Sequence, residues 1–274
     1  MERTAGRPEI TLGLIDGPVA LDHPDLANAA VRTAGGRAEA ACARADAAAC
    51  THGTFVAGML SARRGSTAPA ICPECTLLLR PIFLDGDNLG QMPSATPQQL
   101  SEAIIETVGA GARVINLSAG MVRSSPRGEM RLQEALDYAA ESGVLVIAAA
   151  GNQSQIGSST ITGHPWVIPV AACNNQAQPL TGSNLGTSIG KRGLSAPGKD
   201  ITSLGSNGKT WRMSGTSVAA PFVTGAIALL WSEFPVASAA HIKFAITQGA
   251  GKRKSIAPPV LDARAAYESM KASL

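Results

Sequence analysis

Ser217 lies in MSGTSVAAP (213–221), between the small residues Gly215 and Thr216 and a proline, at the mouth of an apolar run that reads as a helix. A serine in that place commonly caps the helix by accepting a hydrogen bond from an unpaired backbone N–H. Pro221 costs little so near a helix start, where the first N–H groups lack partners. What remains is a hydroxyl at the positive end of a helix dipole, beside N–H groups able to stabilise a developing oxyanion. Such a nucleophile needs a base. His52 stands just before a helix-like segment of small residues in THGTFVAGM (51–59), and Asp16 ends the apolar run TLGLI. Taken singly, the histidine reads as structural and the aspartate as a turn cap. Asn152, after VIAAAG, either caps a turn or presents its amide to a cleft. Taken together, an acid, an imidazole and a hydroxyl at element ends form the set that makes an alcohol nucleophilic: Asp16 orients the ring, His52 takes the proton and Ser217 attacks.

These residues need a frame that brings positions 16, 52 and 217 together. The runs at 11–15, 76–82, 113–118, 143–150 and 166–172 are apolar without alternation, as strands buried on both faces are. Helix-like segments at 53–63, 97–110 and 129–142 separate them, so the expected fold is α/β, a mainly parallel sheet with helices on both faces. Further helices are expected at 217–233, 237–248 and 261–272. In open sheets of this kind, sites form beyond the carboxyl ends of the strands, where Asp16 and Asn152 stand. The alanine-rich segment 27–50 reads as either a helix or a surface loop. With no linker or shift in composition, residues 1–274 read as one domain.

Composition narrows the function classes. Apolar residues make up 45% of the 274 and charged residues 16%, which excludes disorder, and a scattered net charge of +3 gives no footprint for nucleic acid. The basic run Lys252-Arg253-Lys254 reads as a solvated loop. The apolar stretch 218–231 is interrupted and too short to span a bilayer, so no membrane partner is expected. The N-terminus has no apolar export run, which points to the cytoplasm, with secretion the alternative if the chain is a trimmed mature form. Five cysteines do not define a disulfide scaffold. Their spacing leaves Cys42 with Cys50, and Cys72 with Cys75, as possible disulfides, and Cys173 as a buried thiol. A zinc site would need further ligands, and no metal or cofactor is expected.

The runs LGLIDGPVALDHPDL (12–26), HGTFVAGML (52–60), VINLSAG (114–120), AAAGN (148–152) and SGTSVAAPFVTG (214–225) resemble the subtilases, the subtilisin-like serine proteases, over most of the chain. The order Asp, His, Ser is that of subtilisin and differs from the order in chymotrypsin and in α/β-hydrolases. The resemblance implies a three-layer subtilisin-like fold, a catalytic triad of Asp16, His52 and Ser217, and an oxyanion hole from the Asn152 amide and the Ser217 N–H. It also implies a peptide or protein substrate laid as an extended strand along Ser118, Ala119 and Gly120, with 90–92 opposite, and a pocket lined by Ala149, Ala150 and Gly151.

The segments LLLRPIFLDGDNLGQ, AIIETVGAGARVINLS, PLTGSNLG and LSAPGKDI resemble most the subtilases that mature precursor peptides in cyanobactin-type pathways. Relatives there that release and cyclise the product carry a capping insertion between Asp and His. The short connection in this chain fits the cutting enzyme, and hydrolysis over cyclisation. Phe55 replaces the second histidine of HGTH, and ARRGSTAPAICPEC replaces the loop that holds calcium in many relatives, so calcium is not expected at that place. Three rivals remain: a secreted degradative protease with the same triad, an inactive peptide-binding pseudoprotease, and a dinucleotide-binding oxidoreductase. The last would rest on GAGARV (109–114), which lacks the full glycine fingerprint and precedes a strand rather than following one. Oligomeric state is not legible in the sequence.

Overall fold

A computed structural model describes residues 3–34, 40–83, 94–118, 120–121, 126–247 and 254–273. The strands in chain order are β1 (Thr11–Asp16), β2 (Val31–Thr33), β3 (Thr76–Pro81), β4 (Ser94–Ala95), β5 (Val114–Leu117), β6 (Gly120–Met121), β7 (Leu145–Ala149), β8 (Ile168–Cys173), β9 (Leu194–Pro197), β10 (Ile201–Leu204) and β11 (Thr210–Met213). The helices are α1 (Ala48–Ser61), α2 (Pro97–Gly109), α3 (Pro126–Glu141), α4 (Thr160–Gly163), α5 (Thr187–Arg192), α6 (Thr216–Glu233), α7 (Ala239–Thr247) and α8 (Ala263–Ala272). Seven strands form one parallel sheet in the order β2-β3-β1-β5-β7-β8-β9. From β1 the chain builds outward first to β3 on one side and then to β5 on the other. The order therefore reverses at β1, and the crevice of the switch point opens at its carboxyl end, at Asp16.

The strands alternate between two apolar layers. Leu12, Leu14, Leu77, Leu79, Val114, Leu145 and Ile147 pack with Val56 and Leu60 of α1 and Val223 and Ile227 of α6. Ile15, Leu78, Ile115, Leu117, Val146 and Ala148 face the other way, onto Leu100 and Ile104 of α2 and Leu132 and Leu136 of α3. Both faces are covered, which is why these strands read as unbroken apolar runs. Helix α6 is apolar nearly all round and is buried from Val218 to Trp231 except at the partly exposed Phe222 and Leu229, as a helix enclosed by its neighbours must be. Among the described residues no helix is long and apolar enough to cross a membrane.

The expected strands and helices are present, with shifted limits. Helix α1 begins at Ala48, five residues before the expected start, because the alanines at 47 to 49 are helix formers that carry no cap signal: Ala47 makes no capping hydrogen bond. The segment 27–50 is neither one helix nor one loop, since it contributes β2 and the first turn of α1. Strand β9 and the antiparallel pair β10 and β11 were not expected. Leu194–Pro197 is only four residues long and ends in proline, and Thr210–Met213 is exposed over three of its four residues. Neither gives the long apolar signature of a central strand.

Candidate active site

Asp16 ends β1 fully buried. Its Oδ1 accepts two hydrogen bonds at 2.7 Å, one from the Gly17 N–H and one on the His52 Nδ1 side, whereas Oδ2 is buried with no partner among the described residues. The next residue must be glycine, since a Cβ on Gly17 would lie 2.1 Å from the Ala49 carbonyl oxygen. That absent side chain lets the first turn of α1 close onto the strand end and carries His52, four residues into the helix, against Asp16. The disulfide Cys42–Cys50 ties the same turn down. Ala41 bridges to Val19, three residues past Asp16, so the bond staples the helix bearing His52 to the segment leaving β1. The Ala20 N–H donates to Thr54 Oγ1 at 2.9 Å across the same seam, and Ser206 at the β10–β11 tip donates to the Ala45 carbonyl.

Ser217 is the second residue of α6, half-buried, with Oγ 2.9 Å from His52 Nε2. Asp16, His52 and Ser217 thus form one continuous hydrogen-bonded line across 201 residues of chain, the line expected from the sequence. Pro221 is not at the helix edge but its sixth residue. Having no N–H, it leaves the Ser217 carbonyl without its helical donor. Ser118 supplies the replacement, its Oγ lying 3.4 Å from that carbonyl. The hydroxyl in turn accepts from Asn116 Nδ2 at 2.8 Å, and Asn116 Oδ1 accepts from Thr224 Oγ1 at 2.9 Å. A polar chain of three side chains therefore runs through the core to hold the first turn of α6. Sequence reasoning placed Ser118 along the substrate and missed Asn116 and Thr224, whose only signal was a polar residue inside an apolar run.

Asn152 follows β7 and is exposed. Its Oδ1 accepts from the Thr216 N–H at 2.9 Å and from Thr216 Oγ1 at 3.1 Å, which turns the amide nitrogen away from Thr216. Thr216 Oγ1 also accepts from the Gly151 N–H at 3.1 Å. The Asn152 Nδ2 and the Ser217 N–H have no hydrogen-bond acceptor among the described residues, and both belong to residues adjoining the helix N-terminus. Two such donors at the positive end of a buried helix match what a developing oxyanion would require. Ala149, Ala150 and Gly151 continue from the carboxyl end of β7 beside them. Gly120 pairs with Ser94 in the short β4 and β6 ladder. Ala119 and the segment 90–92 lie outside the described residues.

Burial of the His52 ring acts to lower its pKa, but the charge of Asp16 and the hydrogen bond to it more than offset this, and the net pKa is raised above the ordinary 6.5. In the loop ARRGSTAPAICPEC, Arg63 pairs with Asp25 at 2.5 Å and Arg64 donates to the Thr4 carbonyl at 2.8 Å. The possible disulfide between Cys72 and Cys75 is not formed: both are buried free thiols, as is Cys173. The two hydrogen-bond to each other, which holds the proton on Cys72 and lowers the pKa of Cys75, and the Cys75 sulfur is packed under Gly6, where a Cβ would come within 2.5 Å of it.

The profile of the subtilase family matches residues 7–266. Subtilisin DY of Bacillus licheniformis is 30% identical over 239 residues, which cover 85% of this chain and 81% of that protein, while Subtilisin J of Geobacillus stearothermophilus, 32% identical, matches 70% of this chain but only 49% of its own length. Among solved structures, a mutant of the protease domain of PatA superposes with a TM-score of 0.89 at 30% identity, covering 100% of this chain and 99% of that one. The prenylagaramide maturation protease PagA superposes with a TM-score of 0.83 at 30% identity, covering 98% and 96%. With its sheet order, its line of Asp16, His52 and Ser217 and these matches, the chain belongs to the subtilase family of serine endopeptidases.

Proposed function

We propose that the chain cleaves a precursor peptide at a defined bond, with Asp16, His52 and Ser217 as its catalytic residues. The observation that carries the catalytic roles is the unbroken line from Oδ1 to Nδ1 at 2.7 Å and from Nε2 to Oγ at 2.9 Å. His52 Nε2 takes the proton as Ser217 Oγ bonds to the substrate carbonyl carbon, and Asp16 stabilises the imidazolium without accepting the proton itself. The Asn152 Nδ2 and the Ser217 N–H receive the negative oxygen of the tetrahedral intermediate. His52 then returns the proton to the leaving amine, and water, deprotonated by the same nitrogen, releases the acyl group from Ser217. The substrate backbone lies along Ser118, Ala119 and Gly120, and the side chain before the cut sits over Ala149, Ala150 and Gly151.

Substrate choice is supported by the likeness, along the whole of this chain, to the protease domain of PatA and to PagA, the second a maturation protease by name. The test is mass spectrometry of products from a panel of leader-core precursor peptides beside unfolded casein. One cut at the leader boundary of a precursor is expected. Many cuts in casein, with no preference among the precursors, would replace the reading with that of a degradative protease.

A further inference from the structure

We propose that Asn184 is a positioning residue that sets the oxyanion donor Asn152 and so governs turnover. The proposal rests on the role given to Asn152 above. The amide oxygen of Asn152 is held by Thr216, but its backbone belongs to the exposed segment 152–158, which buries no residue. Asn184 closes on that segment from both sides of residue 152. Its backbone N–H donates to the Gly151 carbonyl at 2.8 Å. Its side-chain Oδ1 accepts from the N–H groups of Gln153 and Gln155, both at 3.0 Å, and its Nδ2 donates to Gln153 Oε1 at 2.8 Å.

Main-chain bonds from Ser154 to Gly182 and between 155–157 and Leu185 tie the far part of the loop, and Asn184 holds the part next to residue 152, where two backbone features accompany its grip. Gly151 has φ +103°, and a Cβ there would lie 2.4 Å from Asn184 Nδ2, so both its conformation and its contact with Asn184 require glycine. Ser154 takes φ +55°, an uncommon value for a residue with a side chain, within the turn that presents two N–H groups to one oxygen. Asn184 is itself anchored to the sheet. The Leu180 N–H donates to the Ala172 carbonyl of β8 at 2.8 Å, and Ser183 Oγ accepts from the Ala172 N–H at 3.2 Å. Rigidity of β8, a strand paired on both sides, thus passes through 180–184 to a loop with no buried residue of its own. A donor misplaced by about 1 Å costs on the order of 10²-fold in rate. Losing the Asn184 side chain therefore acts on turnover rather than on substrate affinity.

The experiment is a double-mutant cycle of Asn152→Ala, Asn184→Ala and the pair, with kcat and KM measured on a cleaved peptide and folding followed by thermal melting. Asn184→Ala is expected to lower kcat roughly 10- to 100-fold with KM within about threefold, and to add less than about threefold in the Asn152→Ala background. Equal losses in both backgrounds, or kcat near wild type, would overturn the proposal. Asn152→Ala with wild-type kcat would instead sink the reading of the site, so the two failures are distinct. Should Asn184→Ala not fold, Asn184→Ser, which keeps one acceptor, takes its place in the cycle. Amide exchange of the wild-type chain gives a second reading: the Gln153 and Gln155 N–H groups are expected to be protected, and exchange at the free-loop rate would refute the grip.

Discussion

Asp16→Asn distinguishes what the carboxylate does by charge from what it does by geometry. Both of its hydrogen bonds fall on Oδ1, one from the Gly17 N–H and one on the His52 Nδ1 side, and Oδ2 has no partner. An asparagine keeps an oxygen at the Oδ1 position, because its NH₂ group turned that way would meet the Gly17 donor. The His52 tautomer with hydrogen on Nδ1 is therefore retained, and the loss is that of the negative charge beside the imidazolium. Two unit charges about 4 Å apart interact by about 4 kcal/mol at an effective dielectric constant of 20, which corresponds to roughly a 10³-fold fall in kcat/KM. The pH profile moves as well. Catalysis needs neutral His52, whose pKa is raised, so wild-type kcat/KM falls as pH drops through a value above the ordinary 6.5. Asp16→Asn removes the charge, the larger of the two upward effects, and keeps the hydrogen bond, so the acid limb of the variant lies below that of the wild type. The assay is kcat/KM on a fluorogenic peptide across the neutral and acid range. An acid limb that stays in place, or a loss below about tenfold, would refute the reasoning.

Thr224→Val removes the hydroxyl that donates to Asn116 Oδ1 and leaves that buried oxygen unpaired, at a cost of about 1–3 kcal/mol. For a chain of this size the melting temperature should fall by roughly 2–12 °C, and Thr224→Ser should restore most of the loss. Cys42→Ser opens the short loop closed by Cys42–Cys50, with about 2.5 kcal/mol expected from loop entropy. Melting about 5–10 °C lower should accompany it, and kcat should fall because α1 has no other cap at its start; unchanged melting would count against the staple. Asn152→Ala should fold normally and lose roughly 10²- to 10³-fold in kcat, the range for a side-chain oxyanion donor in subtilisin-type enzymes. Activity near wild type would remove the amide from the site.

The sequence made the long central strands and the hydrogen-bonded line of Asp16, His52 and Ser217 legible, and for one physical reason. Strands buried on both faces leave apolar runs, and the polar residues that end them stand on the binding edge of the sheet. Asp16 and Asn152 were found in that way, and the small-residue turn before Ser217 marked the helix start. The supporting contacts were not legible. Asn116 and Thr224 sit 108 residues apart, and nothing local in VINLS or FVTG states that the two side chains meet. Ser118 was assigned to the substrate strand from its place after β5, and nothing in that position told that its hydroxyl also serves the carbonyl that Pro221 leaves without a donor. Spacing alone could not separate Cys42 and Cys50, which bond, from Cys72 and Cys75, which share a hydrogen bond under the N-terminal segment. Asn184 is a loop asparagine like any other until its partners are known.

Reaction with a fluorophosphonate, followed by mass mapping of the labelled peptide, tests most directly whether Ser217 is the nucleophile driven by His52. A single label per chain on Ser217 is expected, formed at a rate that follows deprotonation of His52 and is lost in His52→Ala. Labelling at another residue, or at an unchanged rate in His52→Ala, would contradict the account.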